Sequence, residues 1–112
     1  MIKEIVNQAI YGLKNSGVNP ELINLTLEDY ASFVRECGVY INIGTDYVDG
    51  NIKQLRYYQG IEIDNRLPDA DEVDNPLWAE SYICTHSKYQ AHPARLIEMG
   101  RAFNLRTLDE FV

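Results

Sequence analysis

The stretch Asn19–Gly38, NPELINLTLEDYASFVRECG, decides the fold. Ile23, Leu25 and Leu27 alternate with Asn24 and Thr26, the period of a half-buried strand. Thr26 then stands three residues before Asp29, a short form of the reciprocal cap that opens a helix. From there Leu27, Tyr30, Ala31, Val34 and Cys37 fall on one helical face, with Phe33 beside them, and Gly38 closes the run. The spacing predicts a short strand that runs directly into a helix over about 27–37.

Upstream, Ile2, Ile5, Val6, Ala9, Ile10 and Leu13 recur at helical spacing, while Lys3, Glu4, Asn7, Gln8 and Lys14 lie off that stripe. This predicts a helix over 2–15, stopped at Asn15-Ser16-Gly17 by a glycine able to take the left-handed cap. Downstream, VYINIG (39–44) alternates as a strand, with Val39, Ile41 and Ile43 set against Tyr40 and Asn42. Asp49-Gly50 is a turn signal. IKQLRYYQGIEID (52–64) continues as strand, broken at Gly60 by a turn or bulge. There Ile61 and Ile63 are expected to face inward, and Glu62 and Asp64 outward. Residues 64–76 read as an acidic, proline-bearing loop. LWAESYIC (77–84) is a candidate last strand. Pro93, Leu96, Met99, Ala102 and Phe103 predict a third helix over 93–103. The sum is a single α+β domain, 1–112, with a small, largely antiparallel sheet flanked by three helices.

The bulk numbers agree with such a domain. The chain has 112 residues, is 46 % hydrophobic and 24 % charged, and carries a net charge of −7. That charge repels phosphate backbones and anionic membranes, so neither nucleic acid nor membrane is expected as a partner. No signal-peptide core stands in the first residues, and a soluble cytoplasmic protein is expected. Two cysteines are too few for a disulfide framework.

Cys84, His86 and His92 fall together in CTHSKYQAHP (84–93). They are the candidate metal ligands. Cys84 and His86 would share a face of a strand, and Cys37 could complete a four-ligand zinc set. The spacing matches no zinc-finger signature, and a half-buried cysteine with two surface histidines is the plainer reading. A Cys84 nucleophile with His86 or His92 as base would need an oxyanion cradle, and nothing glycine-rich surrounds it. DADEVDN (69–75) lacks the glycine of a calcium loop. No nucleotide or hydrolase motif occurs, so no catalytic residue and no cofactor is expected.

Eight tyrosines point instead to contact surface, since tyrosine adds area at small entropic cost. Tyr40, Tyr47, Tyr57 and Tyr58 cluster around the expected sheet. The candidate protein interface is Tyr57 and Tyr58 with the acidic loop residues Asp69, Asp71, Glu72 and Asp74 and with Trp78. Trp78 is expected to pack at that loop's root. The expected partner is another protein or a second copy of this chain. The carboxylates between Glu62 and Glu80 also leave open an acidic inhibitor of a nucleic-acid enzyme.

Residues 2–75 resemble the axial-domain segment of tailed-phage major capsid proteins. There a helix precedes a strand, an acid-aromatic helix start and a strand-loop of the pattern G-x-P-V-x-x-S-x-x-L-P. The matching positions are Gly17, Pro20, Leu25, Glu28, Asp29, Tyr30, Gly60, Ile61, Ile63, Leu67 and Pro68. Glu62 stands where the family carries proline, and the long spine helix and N-terminal arm have no counterpart. The resemblance implies a phage-derived, virion-associated interaction role. It supplies no catalytic residue.

Overall fold

The computed structural model describes residues 1–65, 80–85 and 102–107. Its elements are α1 (Ile2–Asn15), β1 (Leu22–Asn24), α2 (Leu27–Cys37), a 3-10 turn (Gly38–Tyr40), β2 (Ile41–Val48), β3 (Asn51–Tyr58), β4 (Ile61–Asp64), β5 (Tyr82–Cys84) and β6 (Ala102–Asn104). The strands form one sheet in the order β2-β3-β4-β1-β5-β6. β1 runs parallel to β4. Every other neighbouring pair is antiparallel. The expected α+β class stands, with a mixed sheet and two α-helices among the described residues.

α1 forms where its stripe predicts. Ile2, Val6, Ala9, Ile10 and Leu13 are buried. They meet Ile23, Phe33, Cys37, Tyr58, Ile61, Ile63 and Ile83 in one core. Strand alternation assigns the faces. Ile23, Ile61, Ile63 and Ile83 point to the helices, and their neighbours Leu22, Glu62, Tyr82 and Cys84 point away from them.

α2 keeps its expected bounds, and Asp29 N donates to Thr26 Oγ1 at 3.2 Å. Its buried face differs from the expected one. Phe33 and Cys37 are buried and Tyr30 packs against the core, whereas Leu27 and Val34 are exposed. Phe33 meets Tyr58 edge-on, ring centroids 4.9 Å apart at 82°, an arrangement that rings prefer to a face-to-face sandwich. That contact and the anchoring of Asp29 described below set the rotation of the helix.

Three further expectations are corrected. Val39 and Tyr40 belong to the 3-10 turn rather than to β2. Glu62 is not solvent-facing: it is 8 % exposed, because β4 lies inside the sheet and is covered on both faces. Ala102 and Phe103 are strand, paired with Cys84 and Ile83, so long-range pairing overrides their helical spacing. The rest of the helix expected over 93–103 lies outside the described residues, as do Leu67, Pro68 and the acidic loop from Arg66 onward.

Two tight turns shape the sheet's outer part. Asp49 and Gly50 have φ of 52° and 78°, and Gln59 and Gly60 have φ of 52° and 79°. Two successive positive φ values give the turn whose twist matches that of antiparallel strands. The β2–β3 hairpin is therefore closed by Asp49-Gly50, and the β3–β4 hairpin by Gln59-Gly60.

Candidate interaction surface

β2 and β3 pair along their whole length, from Ile41↔Tyr58 to Val48↔Asn51. β4 pairs only with Arg56–Tyr58. Among the described residues the distal hairpin is thus a two-stranded ribbon standing off the domain. On one face of it three large side chains are in water, Ile43 67 % exposed, Tyr47 73 % and Ile52 63 %, while Leu55 on the opposite face is buried. At its base Val39 is 88 % and Tyr40 62 % exposed. So many large apolar side chains grouped on one projecting element mark a contact surface. The hairpin is also electrically balanced. Asp46 and Asp49 offset Lys53 and Arg56, in a chain of net charge −7.

Two shallow hollows adjoin the hairpin's base. One, ≈ 370 Å³, is lined by Lys3, Tyr40, Asn42, Tyr58 and Gln59. Lys3 Nζ lies 5.5 Å from the centroid of the Tyr40 ring there, within cation–π reach. The other, ≈ 500 Å³, is lined by Asn7, Ile10, Tyr11, Lys14, Asn15 and Gln59. Asn7 ties the wall between them, its Oδ1 accepting from Tyr58 Oη at 2.6 Å and from Gln59 Nε2 at 3.2 Å.

The tyrosines of the sheet divide by role. Tyr58 is a core residue, 4 % exposed. Tyr57 is half-buried, and its ring lies over Gly44: a Cβ at Gly44 would come within 2.9 Å of Tyr57 Cε2. Burial first, then the nearby Asp46 and Glu62 carboxylates, push the Tyr57 hydroxyl above its ordinary pKa. Tyr40 and Tyr47 are the exposed pair. Asp69, Asp71, Glu72, Asp74 and Trp78 lie outside the described residues. Ile43 and Ile52 were not among the candidate interface residues. Strand spacing alone does not say which face of these positions is covered, and the reach of the hairpin past β4 puts them in water.

Of the candidate metal ligands, Cys84 is fully buried in β5, and His86 and His92 lie outside the described residues. Cys37 cannot complete the set. It sits in the helix–sheet core and its Sγ donates to Phe33 O at 3.1 Å, whereas Cys84 points to the other face of the sheet. The two thiols form no disulfide. Burial pushes the Cys37 thiol above its ordinary pKa, against the pull of Lys3. No group of three or more His, Cys, Asp or Glu able to hold a metal occurs among the described residues.

One polar cluster was not visible in the sequence. Asp29 Oδ2 accepts from Ser81 Oγ at 2.6 Å, and Asp29 Oδ1 accepts from Arg106 Nη2 at 2.9 Å. Thr26 N donates to the same Ser81 Oγ at 3.1 Å. The Ser81 hydroxyl thus relays between the carboxylate and the backbone that a reciprocal cap joins directly. Arg106 Nη1 also lies 3.7 Å from Glu80 Oε2. Partial burial pushes the Asp29 carboxyl up, but hydrogen bonds from Arg106 and Ser81 and the Arg106 charge outweigh it and hold the carboxyl below its ordinary value of 3.8. The serine is fully buried and both Asp29 oxygens are engaged. The cluster is a clamp joining α2 to the segments flanking β5 and β6, not a nucleophile with its base.

No helix among the described residues is long and apolar enough to cross a membrane. No family model, curated protein or solved structure matches the chain.

Proposed function

We propose that this chain is a small acidic protein-interaction module of phage origin, virion-associated or acting in the host cytoplasm, that works by surface contact without catalysis. The observation that carries this reading is the projecting β2–β3 hairpin, with Ile43, Tyr47 and Ile52 in water above an exposed Val39-Tyr40 base. A monomeric domain gains nothing from such a group of apolar side chains, whereas an interface built on it gains hydrophobic contact at its centre. Local neutrality removes the repulsion that the rest of the surface would present to an acidic partner. The resemblance to a capsid axial segment supports the same kind of role, since its matched positions Gly17, Pro20, Asp29, Tyr30 and Gly60 place turns, a cap and core contacts rather than reactive groups.

The test compares the native chain with a variant carrying Tyr40→Ser, Ile43→Thr, Tyr47→Ser and Ile52→Thr. Light scattering gives self-association, and pull-down from a phage-infected lysate gives other partners. The native chain is expected to associate and the variant to lose that association with its circular-dichroism spectrum unchanged. A native chain that is strictly monomeric and captures nothing overturns the reading.

A further inference from the structure

β2 is an edge strand of the sheet that the described residues form, and the geometry of its hairpin fixes which backbone groups face outward. The two-residue Asp49-Gly50 turn makes Val48 and Asn51 a hydrogen-bonded pair, and antiparallel pairs then alternate. Ile43, Thr45 and Tyr47 therefore turn their N–H and C=O away from β3, toward the open edge. Their side chains share one face. Such a long edge invites another strand unless it is guarded. One guard is visible: Tyr47 N donates to the carboxylate of Asp46 at 2.8 Å.

Resting on the interaction reading above, we infer that the partner is a second copy of this chain, joined β2 to β2 in antiparallel fashion with Thr45 on the twofold axis. Three observations select this occupant. First, the register is self-complementary. Thr45 meets Thr45, and Ile43 meets Tyr47 twice, so two exposed apolar side chains of the strand cover each other. Threonine pairs and aromatic–β-branched pairs of this kind stabilise antiparallel neighbours. Second, charge permits it. Asp46, the one charged residue of β2, falls opposite Gly44 of the other copy and keeps Lys53 as its neighbour on β3. A register centred one residue later would set Asp46 against Asp46. One centred on Gly44 would pair Tyr47 with the half-buried Ile41 and leave Ile43 facing Thr45. Third, a two-stranded ribbon is marginal in water, and three or more strands are needed for independent stability. Pairing two copies turns each distal ribbon into half of a four-stranded sheet, β3-β2-β2-β3. On association the Tyr47 N–H leaves Asp46 and donates to Ile43 C=O of the other copy. The interface is isologous and closes at two chains.

Thr45→Pro tests this directly. Its N–H points outward, so proline there leaves the β2–β3 ladder intact while removing the central intermolecular donor from each copy. Sedimentation of the native chain from about 10 μM to about 1 mM should show a monomer–dimer equilibrium, with Thr45→Pro weakening it about tenfold or more. Thr45→Cys reads the register without relying on the proline variant's folding. Hydrogen-bonded antiparallel partners sit about 5.5 Å apart at Cα, within the span of a short thiol-to-thiol cross-linker. With that reagent Thr45→Cys should yield a covalent dimer and Ile43→Cys should not. A native chain that stays monomeric throughout, a dimer indifferent to Thr45→Pro, or Thr45→Cys that fails to cross-link each overturns the self-pairing. The interaction reading fails separately. A monomer that still captures a different protein through Ile43 and Tyr47 keeps that reading and rejects the second copy.

Discussion

Asp29 shows how one side chain takes two jobs. Its backbone N–H is capped by Thr26, and its carboxylate gathers Ser81 and Arg106 from distant parts of the chain. Because its pKa is lowered in the folded state, the ionised form is favoured by folding. Its contribution is fully present above the ordinary value of 3.8 and is lost as pH falls through the lower folded value. Asp29→Asn should therefore destabilise the native chain at pH 7 by about 1–3 kcal/mol, since Ser81 and Arg106 lose a charged acceptor. The deficit should shrink on acidification below about pH 4. Arg106 is more exposed, so Arg106→Ala should cost at most about 1 kcal/mol. Urea titrations of the three proteins at pH 7 and pH 3 check both, and a deficit that does not change with pH removes the electrostatic account. Local sequence announced only the Thr26-Asp29 half of this cluster. Ser81 and Arg106 reach Asp29 through tertiary packing that no local spacing encodes.

At the scale of elements, local chemistry carried a good deal. Helix 2–15 and helix 27–37 were legible to the residue, because both have a clear apolar rhythm and clear stops. The Asp49-Gly50 and Gly60 turns were legible because few residues tolerate positive φ. Gly60→Ala should cost about 1–2 kcal/mol for its left-handed conformation. A Cβ there meets no atom within 4 Å, so backbone strain is the whole expected effect, and a thermal melt indistinguishable from that of the native chain would remove it. What local rhythm missed has two causes. The buried face of α2 depends on what it packs against, and the Phe33–Tyr58 contact turned Leu27 and Val34 outward. Ala102 and Phe103 fit a helix by spacing, but β5 offered them an open strand edge. The same limit applied to the contact surface. Tyr40 and Tyr47 could be singled out as residues, whereas the standing of Ile43 and Ile52 in water needed the whole hairpin's position.

For the whole molecule, the order β2-β3-β4-β1-β5-β6 places the three-residue β1 at the heart of the sheet. Ile23 is fully buried, and β1 is held by β4 on one side and β5 on the other. Removing its core side chain should be felt everywhere, and Ile23→Ala is expected to cost about 2–5 kcal/mol. Chemical denaturation should show that loss as a lowered midpoint with an unchanged slope. A loss below about 1 kcal/mol would show that the central strand tolerates a cavity that its burial argues against.

The parallel pairing of β1 with β4 also imposes an order in time. Everything from Leu25 to Gly60, including α2 and the β2–β3 hairpin, must be threaded before Leu22 can meet Glu62. Closing so long an excursion is entropically dear, whereas a hairpin with a two-residue turn closes locally within microseconds. The β2–β3 ribbon should thus form early but only transiently, opening and re-forming with its outward edge exposed while the centre of the sheet is still assembling. Crowded chains would then meet first through the strand that the mature protein guards with Asp46, so refolding yield should fall with concentration well before equilibrium stability does.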